Sequence, residues 1–279
     1  MRVKGQIIKN ISDTYDCLVN EDIYTCKCRG NFRHKNIIPM VGDFVFIDTE
    51  KKIIEEIMER KNSIIRPRVS NITKAFVVTS FVNPDFSTNL LDKLLTELEI
   101  SNIIPVIIMT KMDLASKEDY KKVKDVLKYY EKIGYKVLYN TDSSKIKDEL
   151  KNNTTVLMGQ TGAGKSTLLN KLFKDLDLKT GEISMALGRG KHTTRHVEII
   201  VKDNIKVIDT PGFSALSFLD LKKEMVRDAF VEFKKYPCPY NDCMHIKEAE
   251  CNVIKEVKRG NILNSRYLNY KNFIDEFGR

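Results

Sequence analysis

The sequence lacks any long apolar run, any low-complexity tract and any internal repeat. Its longest apolar stretch, at residues 103–109, is far shorter than the ~20 residues that a membrane-spanning helix needs. Residues 1–9 also lack the continuous apolar core of a secretory signal peptide. We therefore expect a cytoplasmic protein that does not associate with membranes.

Disulfides are not expected either, because the six cysteines should be reduced in a cytoplasmic protein. Cys17, Cys26 and Cys28 lie in strand-like sequence, where we expect them to be small, buried apolar side chains. The other three cysteines lie close to a histidine near the C-terminus, which makes them candidate metal ligands.

The composition is that of a soluble globular protein, with 42% hydrophobic and 30% charged residues. A length of 279 residues allows two or three packed domains. The net charge of +9 favours a polyanionic partner such as nucleic acid or the ribosome. Because lysine and arginine are spread along the chain, the charge alone is equally consistent with simple solubility.

Residues 1–62 are predicted to form a small β-barrel, because short strand-like segments alternate there with turns. The OB-fold is the commonest solution for five such strands, although an SH3-like barrel has a similar pattern. The predicted strands are Val3–Lys9, Tyr15–Val19, Ile23–Cys28, Asp43–Asp48 and Ile53–Met58.

From Ala75 onward, strands alternate with helices, which predicts a parallel sheet covered by helices on both faces. Helices are predicted over Asn89–Glu99, after the capping pair Ser116 and Asp119, and over Thr167–Phe173. The predicted strands are Ala75–Phe81, Ile103–Met109, Val137–Tyr139, Thr154–Met158, Val197–Val201 and Ile205–Ile208.

Residues 159–166, with the sequence GQTGAGKS, match the phosphate-binding P-loop and lie between a predicted strand and a predicted helix. Backbone N–H groups of such a loop, together with the helix N-terminus, bind phosphate oxygens. Lys165 would neutralise the β- and γ-phosphates, and the Ser166 hydroxyl would ligate Mg²⁺. The predicted phosphate-binding residues are Gly159, Gln160, Thr161, Gly162, Ala163, Gly164, Lys165, Ser166 and Thr167.

A nucleotide-sensing switch is predicted where the strand Ile205–Ile208 ends in Asp209-Thr-Pro-Gly212. Asp209 can hold Mg²⁺ through water, and the backbone N–H of Gly212 can contact the γ-phosphate. Between the P-loop and this switch, residues 188–195 (GRGKHTTR) form a basic segment whose hydroxyl groups could complete the Mg²⁺ shell.

A guanine-reading loop is predicted at Thr110, Lys111, Met112 and Asp113, directly after a buried strand. The Asp113 carboxylate can accept hydrogen bonds from guanine N1–H and the N2 amine, a pattern that adenine does not offer. The stem of Lys111 would pack over the base. Asparagine is more common at the position of Thr110. The segment at residues 140–143 is placed to support the base, although it lacks the usual Ser-Ala pair.

The order of these motifs is reversed relative to ordinary GTPases, because the guanine-reading loop precedes the P-loop. Ligands of open α/β sheets bind along the carboxyl edge of the strands whatever the chain order. We therefore interpret the central domain as a circularly permuted GTPase domain, whose last part is the Asp209 switch.

A structural zinc site is predicted beyond the switch, where three cysteines and one histidine fall within 14 residues. The spacing is Cys238-x4-Cys243-x-His245-x5-Cys251. The alternative is incidental cysteines with a solvated histidine. Basic and aromatic residues follow, among them Arg266, Tyr267 and Tyr270, and they suit either RNA binding or an ordinary amphipathic helix.

These motifs together resemble the ribosome small-subunit-dependent GTPase A family (RsgA, also called YjeQ) over essentially the whole chain. The resemblance implies three domains, namely an OB-fold-like barrel at 1–62, a permuted GTPase domain at 63–219 and a mainly helical zinc-binding module at 220–279. It also implies a monomeric factor that acts in late assembly of the 30S subunit, contacts 16S rRNA and hydrolyses GTP with stimulation by that subunit.

The water-orienting glutamine that often follows Asp-x-x-Gly is replaced by Phe213. The family resemblance points instead to His192 as the catalytic residue, with Thr194 as the Mg²⁺-associated threonine. Three alternatives are a permuted GTPase of the large subunit, an RNA-binding scaffold that uses GTP only as a switch, and a P-loop kinase. The kinase needs an acceptor site and a lid, for which the sequence gives no sign.

Overall fold

The structure of the protein is a computed structural model that describes residues 1–30, 32, 38–65, 68–173, 197–202, 204–209 and 221–278. Its first five strands close into a barrel with the strand order β1-β2-β3-β5-β4. Strand β1 pairs with both β2 and β4, and β3 pairs with β5 in parallel, which is the arrangement of an OB-fold. The bounds are β1 Arg2–Ile11, β2 Thr14–Val19, β3 Asp22–Cys28, β4 Phe44–Asp48 and β5 Ile53–Ile57.

Side chains at alternate positions of β2 and β4 fill the barrel interior, whereas β1 buries the four consecutive residues 5–8 next to its irregular register. Ile7, Cys17, Cys26, Val45 and Ile47 are completely buried there. Burial raises the pKa of the Cys17 thiol, so that it stays protonated and unreactive. The prediction of small buried cysteines is therefore confirmed for Cys17 and Cys26, whereas Cys28 is only partly buried.

A six-stranded sheet follows, with the strand order β10-β9-β8-β11-β13-β12. Strands β6 (Ser63–Ile64) and β7 (Val69–Ser70) form a separate two-stranded pair. The sheet strands are β8 Lys74–Ser80, β9 Ile104–Thr110, β10 Lys136–Tyr139, β11 Thr154–Met158, β12 Ile199–Lys202 and β13 Ile205–Asp209. The helices that alternate with them are α1 Thr88–Ile100, α2 Lys117–Ile133, α3 Ser143–Leu150 and α4 Lys165–Leu172.

The interior strands read as continuous apolar runs because both of their faces are covered. All five residues of β11 are buried. As predicted, β9 pairs with β10 and β11 pairs with β13 in parallel. The sheet departs from the predicted parallel arrangement at one edge, where β12 pairs antiparallel with β13. The chain between Lys202 and Ile205 is too short for a crossover, so it can only form a hairpin.

The C-terminal module consists of α5 Lys223–Ala229, a 3-10 turn at Val231–Lys235, α6 Asn252–Lys258 and α7 Asn264–Asp275. Its core is aromatic, and Phe230, Phe233, Tyr270 and Phe273 are each at most 4% exposed. The Tyr270 ring lies edge-on to both Phe230 and Phe233, at centroid distances of 5.0 and 5.1 Å. These aromatic side chains form a packed core and leave no ring face open to stack on RNA bases.

Contacts between residues divide the chain into two compact units. The first unit comprises Met1–Phe76, Asp142–Met158 and Lys165–Phe213, and the second comprises Val77–Thr141, Gly159–Gly164 and Ser214–Arg279. The domain boundaries expected after residues 62 and 219 stay predictions. Among the described residues, none of the helices combines the length and apolar character needed to span a bilayer.

Candidate guanine-nucleotide site and metal cluster

The predicted P-loop follows the buried strand β11, and helix α4 begins at its lysine, Lys165. Gly159 has a φ of +135°, and a Cβ atom at this position would lie 2.0 Å from the carbonyl oxygen of Val78. Only glycine fits so close to the neighbouring backbone. The loop therefore has the strand–turn–helix geometry that presents backbone N–H groups to phosphate.

Thr110 connects the predicted guanine-reading loop to the predicted P-loop. Its hydroxyl lies 2.6 Å from the carbonyl oxygen of Ala163 and 3.2 Å from that of Thr79, and the side chain is almost fully buried. A hydroxyl group has one proton to donate, and the shorter contact with Ala163 is the stronger bond. Thr110 thus ties the two predicted loops together, although asparagine is commoner at this position.

Lys111 adopts the left-handed backbone conformation, with a φ of 57°. Its ammonium group donates to the carbonyl oxygen of Asn83. Met112 and Asp113 lie in a short 3-10 turn, in which the Asp113 side chain is exposed and therefore accessible to a ligand. The structure thus turns the chain sharply at the end of β9 and presents the predicted guanine-reading carboxylate at the surface.

An aromatic stack that the sequence reasoning missed lies behind this loop. The ring of Phe81 stacks on Tyr120 at 5.4 Å and on Tyr139 at 6.4 Å between centroids. The backbone N–H of Phe81 also donates to the Thr110 carbonyl at 3.1 Å, and that of Asn140 donates to Met109 at 2.8 Å. The sequence sign of this stack was the presence of aromatic residues directly after β8 and at the end of β10.

The predicted switch is only partly within the described residues. Asp209 ends β13 and is the parallel partner of Leu157 in β11, so the two strands end side by side. The backbone thus brings the start of the switch next to the strand that leads into the P-loop. Residues 188–195, which include His192 and Thr194, and the switch glycine Gly212 lie outside the described residues.

The four predicted metal ligands form one cluster, and their ligand atoms lie within 4.8 Å of one another. His245 Nδ1 lies 3.5, 3.3 and 3.3 Å from the sulfur atoms of Cys238, Cys243 and Cys251, and the sulfurs of Cys238 and Cys251 are 3.7 Å apart. A tetrahedron with Zn–S bonds of about 2.3 Å has S···S edges of roughly 3.8 Å and S···N edges of roughly 3.5 Å. The donor set and its spacing therefore fit a closed tetrahedral Zn²⁺ site.

The surrounding groups hold this cluster in shape. The carboxylate of Glu248 accepts hydrogen bonds from the backbone N–H groups of Met244 and Ile246, each at 2.8 Å. The Tyr267 hydroxyl donates to the carbonyl of His245 at 2.8 Å. Burial, followed by the positive charge of Arg227, lowers the pKa of His245, so the imidazole stays neutral and keeps a lone pair for a metal.

Three features define the class of a circularly permuted GTPase. They are the OB-fold barrel, the six-stranded sheet with its predicted P-loop, and the inverted order of the two predicted nucleotide loops. Comparison with known protein families agrees with this class. The model of the RsgA N-terminal domain matches residues 4–53, and the model of the RsgA GTPase matches residues 57–219.

The relatives match over nearly the full length. The chain is 45% identical to the small ribosomal subunit biogenesis GTPase RsgA of Latilactobacillus sakei, over 96% of this chain and 94% of that one. It is 44% identical to the small ribosomal subunit biogenesis GTPase RsgA 2 of Listeria monocytogenes, over 98% and 97% of the two chains. The chain therefore belongs to the RsgA family of GTPases, as its motifs predict.

Two solved structures share the fold. The crystal structure of YjeQ from Thermotoga maritima has a TM-score of 0.85 at 30% identity and covers 100% of both chains. The crystal structure of YloQ, described as a circularly permuted GTPase, has a TM-score of 0.81 at 34% identity and covers 100% of this chain and 96% of that one. These structural matches confirm the predicted fold class, and the family model and the named relatives confirm that the chain is a GTPase. The individual site residues stay predictions.

Proposed function

We propose that this chain hydrolyses GTP to GDP and phosphate during late maturation of the small ribosomal subunit, as a cytoplasmic monomer that binds the 30S subunit and 16S rRNA. The observation that carries this proposal is the 45% identity, over 96% of the chain, to a relative named for small ribosomal subunit biogenesis. The tie between Thr110 and Ala163 supports it, because it joins the guanine-reading and phosphate-binding loops.

Different residues of the chain would bind the phosphates, the Mg²⁺ ion and the guanine base. Lys165 would neutralise phosphate charge, the hydroxyl of Ser166 would ligate Mg²⁺, and Asp209 would hold the same ion through water. Mg²⁺ supplies charge neutralisation at the β- and γ-phosphates when it is bound with GTP. Asp113 would accept the two guanine N–H groups, which makes the site selective for GTP.

The remaining catalytic assignments come from the sequence and the family resemblance. His192 would orient the attacking water, because Phe213 has no polar atom in its side chain with which to do so. Thr194 would associate with Mg²⁺, and the backbone N–H of Gly212 would contact the γ-phosphate. If His192 has this role, His192→Ala will reduce subunit-stimulated turnover without changing GTP affinity.

We further propose that Cys238, Cys243, His245 and Cys251 bind one structural Zn²⁺ ion. Full ligation by four protein side chains leaves no position for a substrate, so this ion would organise the module and take no part in hydrolysis. The tetrahedral spacing of the ligand atoms and the lowered pKa of the histidine support the assignment.

A basic face of helix α2 fits a phosphate-rich partner. At 100° per residue, five of the six lysines of α2 fall within an arc of about 80°, and at 1.5 Å per residue they extend over about 22 Å. All five side chains are exposed, and they are Lys117, Lys121, Lys124, Lys128 and Lys132. Such a row of ammonium groups can follow a nucleic-acid backbone and release its counterions.

The specificity part of the proposal is tested by replacing Asp113 with asparagine. Wild-type protein should prefer GDP to ADP by more than about 100-fold, since adenine cannot satisfy the carboxylate. Asp113→Asn should lose guanine affinity and gain xanthine affinity, because an amide can donate to the xanthine 2-carbonyl. Asp125→Asn, at an exposed position on α2, serves as the matched control.

The partner part is tested by co-sedimentation with purified ribosomal subunits in the presence of a slowly hydrolysed GTP analogue. The proposal predicts pelleting with 30S subunits and little with 50S subunits. Equal affinity for GDP and ADP, or preferential pelleting with 50S subunits, would contradict it.

A further inference from the structure

A cluster of fully buried charged side chains joins α7 of the C-terminal module to α1 of the sheet domain. Arg266 is 1% exposed, and its partners Asp92 and Glu232 are 0% and 2% exposed. Arg266 donates to Asp92 at 2.7 Å and makes a two-pronged contact with Glu232. The guanidinium also lies 4.6 Å from the centroid of the Phe230 ring. Removing Arg266 would leave two buried carboxyl groups, Asp92 and Glu232, without their cation, which is strongly unfavourable.

Asn269, one turn further along α7, completes this contact. Its side-chain amide donates to Asp92 at 2.7 Å and to the Thr88 hydroxyl at 3.3 Å, and it accepts from Asn89 at 3.3 Å. Tyr130 of α2 donates to the same Asp92 carboxylate at 2.6 Å. Hydrogen bonds from three side chains therefore hold the first turns of α1 in one position.

The same helix also contacts the metal-ligand loop. The Tyr267 hydroxyl donates to the carbonyl of His245 at 2.8 Å, and the Tyr270 hydroxyl donates to the carbonyl of Met244. These carbonyls belong to the short segment that carries two of the four ligands. A bound metal ion would order this segment and would thereby help to position α7.

At its N-terminal end, the same end that contacts Asn269 and Arg266, α1 is continuous with the segment that supports the predicted guanine-reading loop. Asn83 lies five residues before α1 and accepts from the ammonium group of Lys111. Phe81 donates its backbone N–H to Thr110 at 3.1 Å. A shift of α1 would therefore displace the backbone against which Lys111 and Thr110 are placed.

We propose that helix α7 couples the metal cluster to the guanine-reading loop through Asn269, Arg266 and Asp92, so that Zn²⁺ and guanine nucleotide each strengthen the binding of the other. The proposal rests on the zinc and GTP sites proposed above. In it, Asn269 and Arg266 are positioning residues, since they act on the nucleotide through α1. Thermodynamic linkage requires the effect to be equal in both directions.

The test measures the coupling in both directions on the full chain. GDP should slow extraction of Zn²⁺ by a chelator about fivefold or more, and at equilibrium removal of Zn²⁺ should weaken GDP binding by the same factor by which GDP strengthens Zn²⁺ binding. Extraction starts from folded, zinc-loaded protein, so this arm remains informative even if the metal-free chain unfolds.

Two asparagines of α7 provide a matched pair of variants. Asn269→Ala should retain both ligands but reduce the mutual effect to less than about twofold. Asn272→Ala removes the same amide at an exposed position of the same helix and should keep the wild-type coupling. A general loss of stability would weaken binding of both ligands without removing their dependence on each other.

The possible results of these experiments test separately the coupling, its route through Asn269, and the proposed zinc and GTP sites. Extraction rates that are equal with and without GDP in the wild type would overturn the coupling. Coupling that persists in Asn269→Ala would overturn the assigned route. A chain that binds no Zn²⁺ or shows no guanine preference would instead overturn the proposed function, and the coupling with it.

Discussion

Thr110 shows how one hydroxyl group can join two loops that are far apart in the sequence. Its bond to Ala163 spans 53 residues and is buried. A buried carbonyl that loses its donor costs about 1–3 kcal/mol. The conformation of both nucleotide loops should therefore depend on this single bond.

We predict that Thr110→Val weakens GDP binding by roughly 5- to 150-fold, the equivalent of about 1–3 kcal/mol, while the protein remains folded. Valine has nearly the shape of threonine and lacks only the hydroxyl group. Fluorescent-GDP titration measures the affinity, and thermal unfolding checks the fold.

Thr96→Val is the matched control, because Thr96 is also buried but its hydroxyl has no hydrogen-bond partner among the described residues. This variant should bind GDP like the wild type and be at least as stable. Unchanged GDP affinity in Thr110→Val would show that the tie between the loops does not contribute to the site.

Helix α1 carries a buried carboxyl group that makes the stability of the protein depend on pH. Burial raises the pKa of Glu97 to about 7, above its value in an unfolded chain. The folded state therefore binds the extra proton, and its stability should fall as the pH rises from about 4.5 through 7.

We predict that Glu97→Gln removes the part of the pH dependence of stability that comes from this carboxyl group. The variant should gain stability relative to the wild type as the pH rises from 5 to 8, by roughly 3 kcal/mol at most. Urea unfolding at several pH values measures the difference. A difference that stays constant over this range would contradict the assignment.

The lysine face of α2 yields a prediction about RNA binding. Charge reversal at Lys117, Lys121 and Lys128 should lower the affinity for 30S subunits at least tenfold and reduce the salt dependence of binding by about 2–3 in log–log slope. Basal GTP hydrolysis should not change.

The control variant also reverses three lysine charges, but at exposed positions outside this face, namely Lys122, Lys145 and Lys147. If both triple variants lose affinity equally, the effect is one of net charge and the α2 face is not the contact surface.

At the scale of elements, periodicity predicted most of the secondary structure. The strand Thr154–Met158 was predicted to the residue, and the Ser116 cap is present at 3.1 Å from the N–H of Asp119. Helix α3 was missed, because only Ile146 and Leu150 are buried in it and two apolar residues give no clear period. The antiparallel direction of β12 depends on the length of its connection, which strand propensity does not encode.

The site was predictable to the extent that its chemistry is local in the sequence. The four predicted metal ligands lie within one short segment, and the structure brings their side chains together. The Arg266 cluster was not predictable, since Asp92 lies 174 residues from its partner and an arginine among basic residues resembles a surface group. Long-range contacts of this kind follow from the packing of whole helices.

For the whole molecule, the central claim is that a permuted GTPase of the RsgA family is activated by the small ribosomal subunit. The measurement that tests it most directly is phosphate release from GTP by the full chain, alone and with purified 30S or 50S subunits, with ATP as the control nucleotide. We predict slow release alone, strong stimulation by 30S subunits only, and no comparable turnover of ATP. Equal rates with and without 30S subunits, or stimulation by 50S subunits instead, would contradict the account.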